Sequence, residues 1–171
     1  MSEVSMIRRG RVAAVLGENI DTDLIYPGRF LNVTDREKTA EHLFELAWPE
    51  MRSQIQAGDF IVAGPNFGCG SSREQAAAAL KFAGCGAVLA GSFARIFYRN
   101  SINLGLPAVV APEAATLLKP GDAIEIDLAA GVVRRADGTE VCRSAALDPR
   151  AIELLASGGL IPFLKRKYAA V

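Results

Sequence analysis

Apolar and polar residues alternate in short blocks through the middle of the chain, and this pattern predicts an α/β fold. Apolar runs of strand length occur at 59–64, 86–91 and 106–111. Helix-like segments at 73–84 and 92–105 lie between these runs, and each ends at a glycine. The order strand, helix, strand, helix, strand is typical of parallel strands with flanking helices.

The segments before this block are less regular. Residues 10–17 form an apolar run with β-branched side chains, which predicts a strand. Residues 18–35 mix large apolar side chains with Asp, Asn, Pro and Gly, so we expect a long, structured loop. Loops of this length in compact domains are often functional. Residues 34–58 have helical spacing, with a break or a second helix start at Pro49.

The C-terminal part changes character. Residues 121–144 alternate apolar and polar positions around an Asp137-Gly138 turn, which predicts antiparallel strands. Residues 148–159 predict a capped helix that ends at glycines. No linker, repeat or low-complexity segment interrupts the chain. We therefore predict a single domain over residues 1–171, of the α/β class, with parallel strands, flanking helices and antiparallel C-terminal strands.

Composition narrows the function classes. The 171 residues carry 19 Lys and Arg against 19 Asp and Glu, and this zero formal charge argues against a broad nucleic-acid surface. Three widely spaced cysteines suit reduced thiols, and with His42 as the one histidine they predict no zinc or iron–sulfur site in this chain. No apolar run reaches about 18 residues, and the start lacks the apolar core of a secretory signal. We therefore expect a cytoplasmic protein.

The chemistry-bearing stretch is PNFGCGSSREQ at 65–75, which joins a predicted strand to a predicted helix. Ser71 and Ser72 lie where the helix is expected to begin, and a helix N-terminus attracts anions through its unpaired N–H groups. Arg73 adds a planar fork of donors that matches a carboxylate. The stretch predicts a cradle for a carboxylate or phosphate, in which a serine stabilised by such donors can also serve as a base.

Several alternatives compete with that interpretation. The same residues suit a plain turn and helix cap. The lysine of a phosphate-binding P-loop is absent, and the GxSxG pattern of a nucleophile elbow is not met. A Ser–His hydrolase would have to recruit His42 from the face of a predicted helix. In the upstream loop, Asp21 and Asp23 suit loop-capping turns or, more weakly, a metal, and Arg29 and Asn32 suit ordinary surface positions.

Two long motifs in register carry a family resemblance. NFGCGSSREQA, followed by GAVLAGSFARIFYRNSINLGLP, resembles the small subunits of 3-isopropylmalate dehydratases, which are the swivelling domain of the aconitase superfamily. The upstream NIDTDLIYPGRFL resembles the DTD-x-I-x-P loop of the same family, in the same order along the chain. The resemblance covers roughly residues 10–112, and it implies the swivelling β/β/α fold of these small subunits.

The resemblance also implies roles for four residues. Ser71 matches the serine that abstracts a proton next to a carboxylate, and Ser72 and Arg73 match residues that support it and bind substrate carboxylate. Asp23, the second acid of DTD, matches an active-site aspartate. The implied enzyme is a two-component hydro-lyase that works on an alkylmalate, as in leucine biosynthesis. Its 4Fe-4S cluster is carried by a separate large subunit, and this chain holds no metal.

Substrate specificity is expected in the RFLNV stretch, where the family's loop meets the variable group of the substrate. Homoaconitase-type small subunits have YLRT here, and one isopropylmalate version has YLVY, whereas this chain has Asn at the third of those positions. The departure argues against homocitrate and leaves 3-isopropylmalate, citramalate or 2,3-dimethylmalate open. A non-catalytic module that binds small anions is the rival from another class. The candidate substrate-binding residues of this loop are Arg29, Phe30, Leu31, Asn32 and Val33.

Overall fold

The computed structural model describes residues 6–169, and one seven-stranded sheet runs through it in the order β4-β3-β2-β1-β5-β6-β7. The sheet is mixed: β1 to β4 pair in parallel, whereas β1, β5, β6 and β7 pair antiparallel. The strands are β1 (Ile7–Leu16), β2 (Phe60–Ala63), β3 (Ala87–Ala90), β4 (Ala108–Val110), β5 (Ala123–Asp127), β6 (Val132–Arg135) and β7 (Glu140–Arg143).

Helices cover the sheet and fill its connections. The helices are α1 (Thr22–Ile25), α2 (Arg36–Glu41), α3 (Met51–Gln54), α4 (Glu74–Phe82), α5 (Arg95–Asn103), α6 (Ala114–Leu117), α7 (Pro149–Ser157) and α8 (Leu160–Tyr168), with a 3₁₀ turn at Gly28–Phe30. None of the helices in residues 6–169 is both long and apolar enough to cross a bilayer. The α/β class, the parallel block and the antiparallel C-terminal strands are confirmed.

Strand β1 joins the two parts of the sheet. Its first half, from Ile7 to Arg11, pairs with β5, and its second half, from Val12 to Leu16, pairs with β2. The register shifts between Val12 and Ala14, where the strand passes from one partner to the other. One ten-residue strand therefore serves both the parallel and the antiparallel arrangement.

Alternate residues of the short central strands build two cores, one on each face of the sheet. In β2, Ile61 and Ala63 face the cluster that includes α1, α2 and α4, whereas Phe60 and Val62 face the cluster that includes α5, α7 and α8. All four side chains are fully buried. Because both faces of these strands are buried, nearly every residue in them is apolar. Apolar and polar residues alternate along a strand only where one face of the sheet is exposed to solvent.

Three elements differ from the sequence expectations. The predicted loop at 18–35 contains α1 and the 3₁₀ turn, and the predicted helix at 34–58 is two short helices separated by turns over 42–50. Phe44 has a positive φ of 59°, and its N–H donates to Ile25 O at 2.8 Å, so a contact with the preceding loop ends the helix early. Helix α8, which the pattern did not predict, follows α7 after the left-handed Gly158.

Candidate active site

The two sequence motifs meet at the carboxyl ends of neighbouring parallel strands. β1 ends at Leu16 and leads into the 18–35 loop, and β2 ends at Ala63 and leads into the serine motif. β3 lies on the other side of β2 and delivers the Ser92-Phe93 turn to the same edge. Carboxyl ends of parallel strands are the usual place for ligand sites in α/β sheets.

Backbone hydrogen bonds fasten the two loops side by side. Gly68 N donates to Ile20 O at 2.7 Å, and Thr22 N donates to Cys69 O at 2.9 Å. The buried Thr22 hydroxyl then donates to Ser71 O at 3.0 Å. Thr22 lies between the two acids of the DTD motif, so its place in that motif is structural: it fixes the backbone of the candidate base.

An aromatic cluster supports the serine motif from below. Phe67 packs edge-on against Phe93 and Phe97, with ring centroids 6.0 and 5.2 Å away. Gly68 has a positive φ of 78°, and a Cβ there would lie 2.2 Å from the Phe97 ring. A side chain at position 68 is excluded by both conformation and space. The glycine therefore lets the motif sit directly on α5.

Asp23 and Arg73, one from each motif, form an ion pair at the junction of the loops. The same Asp23 oxygen accepts a hydrogen bond from Gly28 N at 2.9 Å. The hydrogen bond from Arg73, followed by that from Gly28, lowers the pKa of Asp23 below its ordinary value. The Arg73 side chain is only 16% exposed, whereas that of Asp23 is 53% exposed. The ion pair thus fixes the largely buried Arg73 guanidinium beside the solvent-accessible Asp23 carboxylate.

Gly28 allows the Arg73 guanidinium to lie against the loop. A Cβ at position 28 would come within 3.1 to 3.3 Å of three atoms of that guanidinium. Arg73 is therefore sandwiched between the DTD carboxylate and the start of the 28–33 loop. The sequence predicted a structured loop over residues 18–35, but not the close approach of an arginine 45 positions downstream of Gly28.

Ser71 and Ser72 are both exposed at this edge, but they are not the start of the helix. Helix α4 begins at Glu74, and Arg73 occupies the N-cap position with extended backbone and no capping side-chain hydrogen bond. The expectation that the serines begin or cap the helix is wrong. The reason is that the bonds from Thr22 hold the carbonyl groups of Cys69 and Ser71 against the DTD loop.

The 28–33 loop is anchored by Arg29 and Phe30. Arg29 Nη2 lies 2.8 Å from Glu45 Oε1, and its guanidinium carbon lies 4.8 Å from the Phe30 ring centroid. Phe30 stacks on His42 with centroids 3.5 Å apart and planes 6° apart, and His42 Nδ1 lies 2.5 Å from Glu45 Oε2. His42 and Glu45 are therefore part of this loop's support, which sequence reasoning missed; their spacing of three residues was the available signal.

The other three residues of the loop, 31–33, differ in their exposure to solvent. Leu31 is 37% exposed, Asn32 is also exposed, and Val33 is partly buried. Val33 N donates to Phe30 O at 2.9 Å, which closes the turn. Leu31 and Asn32 are thus accessible to a neighbouring molecule, as is the exposed side chain of Arg29.

The described residues contain no group of three or more His, Cys, Asp or Glu side chains placed to hold a metal ion. Cys85 and Cys142 are buried, and burial raises the pKa of the Cys85 thiol to about 12. Cys69 is half-buried in the serine motif, with its carbonyl bonded to Thr22. These donors do not fit an iron–sulfur cluster, which needs several thiolates.

Comparison with known proteins places this geometry in a family. The model of the aconitase C-terminal domain matches residues 19–114, which include both motifs. The 3-isopropylmalate dehydratase small subunit of Moorella thermoacetica is 49% identical over 95% of this chain and 97% of its own length. The 2,3-dimethylmalate dehydratase small subunit of Eubacterium barkeri is 44% identical over 86% of this chain and 91% of its own.

A solved structure has the same overall fold. The crystal structure of 3-isopropylmalate dehydratase from Methanocaldococcus jannaschii superposes with a TM-score of 0.88 and 41% identity, and the match covers 96% of each chain. The chain therefore belongs to the family of 3-isopropylmalate dehydratase small subunits and their relatives, built on the aconitase C-terminal domain.

Proposed function

We propose that this chain is the small subunit of a two-component hydro-lyase that interconverts 2-isopropylmalate and 3-isopropylmalate, a step of leucine biosynthesis. The observation that carries the proposal is the Asp23–Arg73 ion pair, which joins the two motifs beside the exposed Ser71. Relatives named for this reaction are similar over nearly the whole chain.

Arg73 is proposed to bind a substrate carboxylate. A guanidinium has five N–H donors, and Asp23 is the one described residue that accepts a hydrogen bond from Arg73. The other donors remain for a planar anion, which a guanidinium matches with two parallel bonds. Asp23 orients the guanidinium and stays ionised at neutral pH, because its pKa is lowered.

Ser71 is proposed as the base that removes the proton from the carbon next to that carboxylate, and Ser72 as its neighbour in the substrate contact. A serine hydroxyl is far too weak an acid to ionise unaided, so its alkoxide needs donors and a cation close by. Arg73 supplies the cation two positions away. The Thr22 hydroxyl bond to Ser71 O fixes the backbone from which Ser71 projects.

The exposure of all these groups supports a partner that completes the site. Ser71, Ser72 and Asp23 lie on an open surface, whereas a serine alkoxide and a paired substrate carboxylate need shielding from bulk water. We propose that a large subunit covers them, in a heterodimer or heterotetramer in the cytoplasm. Aconitase-family hydro-lyases are generally iron–sulfur enzymes, and we assign the 4Fe-4S cluster to the large subunit, since the donors described here do not fit it.

Residues 1–171 are proposed to act as one swivelling unit against that partner. The shared strand β1 and the two cores tie the parallel block to the antiparallel strands. A unit that carries the base and the carboxylate clamp on one edge can close over a substrate held by the large subunit.

The 29–33 loop is proposed to contact the variable group of the substrate. Its exposed side chains Leu31 and Asn32 carry no charge, and its exposed cation Arg29 is paired with Glu45. An uncharged alkyl group therefore suits the loop better than a second carboxylate. A citramalate or 2,3-dimethylmalate dehydratase is the alternative, because Asn32 also suits a short substituent and a 2,3-dimethylmalate relative is 44% identical.

The test is a substrate panel with the reconstituted pair of subunits and a reconstituted cluster. We expect the largest kcat/KM with isopropylmalate, smaller values with citramalate and 2,3-dimethylmalate, and almost none with homocitrate. The double bond of the dehydrated intermediate provides an absorbance readout. The absence of turnover with every alkylmalate would overturn the hydro-lyase assignment and favour a module that merely binds anions.

A further inference from the structure

The carboxylate of Glu45 joins Arg29 and His42 in a cluster of four side chains that also includes Phe30. One of its oxygens pairs with Arg29 at 2.8 Å, and the other lies 2.5 Å from His42 Nδ1. The stacked Phe30 and His42 rings close the cluster, with Arg29 above Phe30. These contacts connect the loop to the end of α2 through one acidic residue.

Glu45 affects whether Arg29 is available to bind a carboxylate of another molecule. Arg29 is the only cation in the 28–33 loop. Its guanidinium is engaged by Glu45 while its side chain remains 62% exposed. An exposed arginine without such a partner would be a ready site for a carboxylate. The hydrogen bond from His42, followed by that from Arg29, keeps the pKa of Glu45 below its ordinary value, so the neutralising charge is present at neutral pH.

The cluster is adjacent to the proposed substrate clamp. Gly28, the residue before Arg29, donates its N–H to Asp23 and lies against the Arg73 guanidinium. A substrate carboxylate on Arg73 would therefore leave its variable group near the loop that begins at Gly28. A free Arg29 would offer that variable group a second positive charge.

We propose that Glu45 is a specificity-determining residue: by neutralising Arg29 and holding one of its terminal nitrogens, it weakens the loop's attraction for substrates whose variable group carries a carboxylate. Glu45 acts through Arg29 and is a positioning residue. This inference rests on the proposed function, because it assigns a selectivity to the same site. It predicts that the loop favours an uncharged variable group over one with a carboxylate only while Glu45 is paired with Arg29.

The experiment replaces Glu45 by Gln and measures kcat/KM of the reconstituted two-subunit enzyme with two substrates. One is 2-isopropylmalate, and the other is a 2-hydroxy acid of the same backbone whose variable group ends in a carboxylate. We expect the ratio of the two kcat/KM values to shift about tenfold or more towards the carboxylate substrate, as for one charge-assisted hydrogen bond gained. The shift should appear mainly in KM for the carboxylate substrate.

Two further variants separate this role from a structural one. Glu41→Gln removes an exposed acid near the end of α2 that makes no ion pair among the described residues, and it should leave the ratio unchanged. Arg29→Gln combined with Glu45→Gln should return the ratio to the wild-type value, because the released cation is gone. A general loss of folding would lower both kcat/KM values together and leave their ratio alone.

An unchanged ratio in Glu45→Gln, or a shift that persists when Arg29 is also replaced, would overturn the inference. Both outcomes are distinct from failure of the proposed function, in which the wild-type pair would turn over no alkylmalate. Melting curves of each small-subunit variant identify any that fail to fold. Glu45→Asp, which retains the charge, then replaces Glu45→Gln as a second test and should give a smaller shift of the same sign.

Discussion

Ser71 and Arg73 lie two positions apart but are held very differently. Arg73 is largely covered and paired with Asp23, whereas the Ser71 side chain is exposed and its backbone alone is fixed, through Thr22. Substitution of the serine therefore removes chemistry with little loss of packing. Substitution of the arginine removes both a charge and the link between two loops.

Ser71→Ala should lower kcat roughly a hundredfold or more, as expected for the loss of a positioned proton acceptor. The melting temperature should remain that of the wild type, because an exposed hydroxyl contributes little to stability. Turnover by the reconstituted pair and a melting curve check the two parts. Ser53→Ala, at an exposed position in α3, is the control. Near-normal turnover would remove Ser71 from the base role.

Asp23→Asn should give a stability difference that depends on pH. The folded-state pKa of Asp23 is lowered, chiefly by the bond from Arg73. The stabilisation is therefore complete above the ordinary aspartate pKa, about 3.9, and is lost as the pH falls through the lower folded value. The melting temperatures of wild type and variant should differ near pH 7 and converge on acidification. A difference that is constant with pH would contradict the ion pair.

At the scale of elements, the sequence predicted what local chemistry determines. The strands at 59–64 and 86–91 were predictable because their apolar runs are buried on both faces, and α7 because Asp148 caps it and Gly158 ends it. A break at Pro49 was predictable, but the end of α2 at Glu41 was not, because it depends on the bond from Phe44 to Ile25. Tertiary contacts override local propensity in such cases.

The site was predictable to a similar extent. The motifs identified Asp23 and Arg73 as candidates, but their pairing across 50 positions is a product of the parallel β1–β2 register. Phe30 is supported by His42, and Arg29 is neutralised by Glu45. The one local signal for these contacts is that His42 and Glu45 are three positions apart on the chain. Contacts between separate loops are the part that a single sequence leaves undetermined.

Helix α4 provides a test of how the serine motif is supported. Leu80 is fully buried in the core beneath α4, and Leu80→Ala should reduce the free energy of unfolding by about 2–5 kcal/mol. Leu46→Ala, at a leucine that is 56% exposed, should cost far less. Urea unfolding of both variants measures the difference. Equal costs would show that α4 is not packed as described.

At the scale of the whole molecule, the chain has half a site. Its edge offers a proposed carboxylate clamp, a candidate base and a loop whose one cation is paired with Glu45, but no metal-binding cluster in the part described. The remaining chemistry belongs, in this proposal, to the partner. Relatives of this chain are named small subunits, which implies a large-subunit partner.

The purified chain should retain no iron–sulfur cluster after anaerobic reconstitution with iron and sulfide and removal of the excess. Iron analysis and absorbance in the visible range would measure this directly. Addition of the large subunit should give both the cluster signal and turnover, whereas this chain alone should give neither. If this chain bound one cluster in the absence of the large subunit, the assignment of the cofactor to the partner would be contradicted.

Strand β1 has a consequence for how the protein opens. Because its two halves pair with different parts of the sheet, release of β1 would separate the parallel strands from the antiparallel ones. Amide protons in the middle of β1, at Val12 and Ala14, should therefore exchange with deuterium only through global unfolding, at the slowest rate in the chain. The outer strands β4 and β7 should exchange sooner, through local fraying.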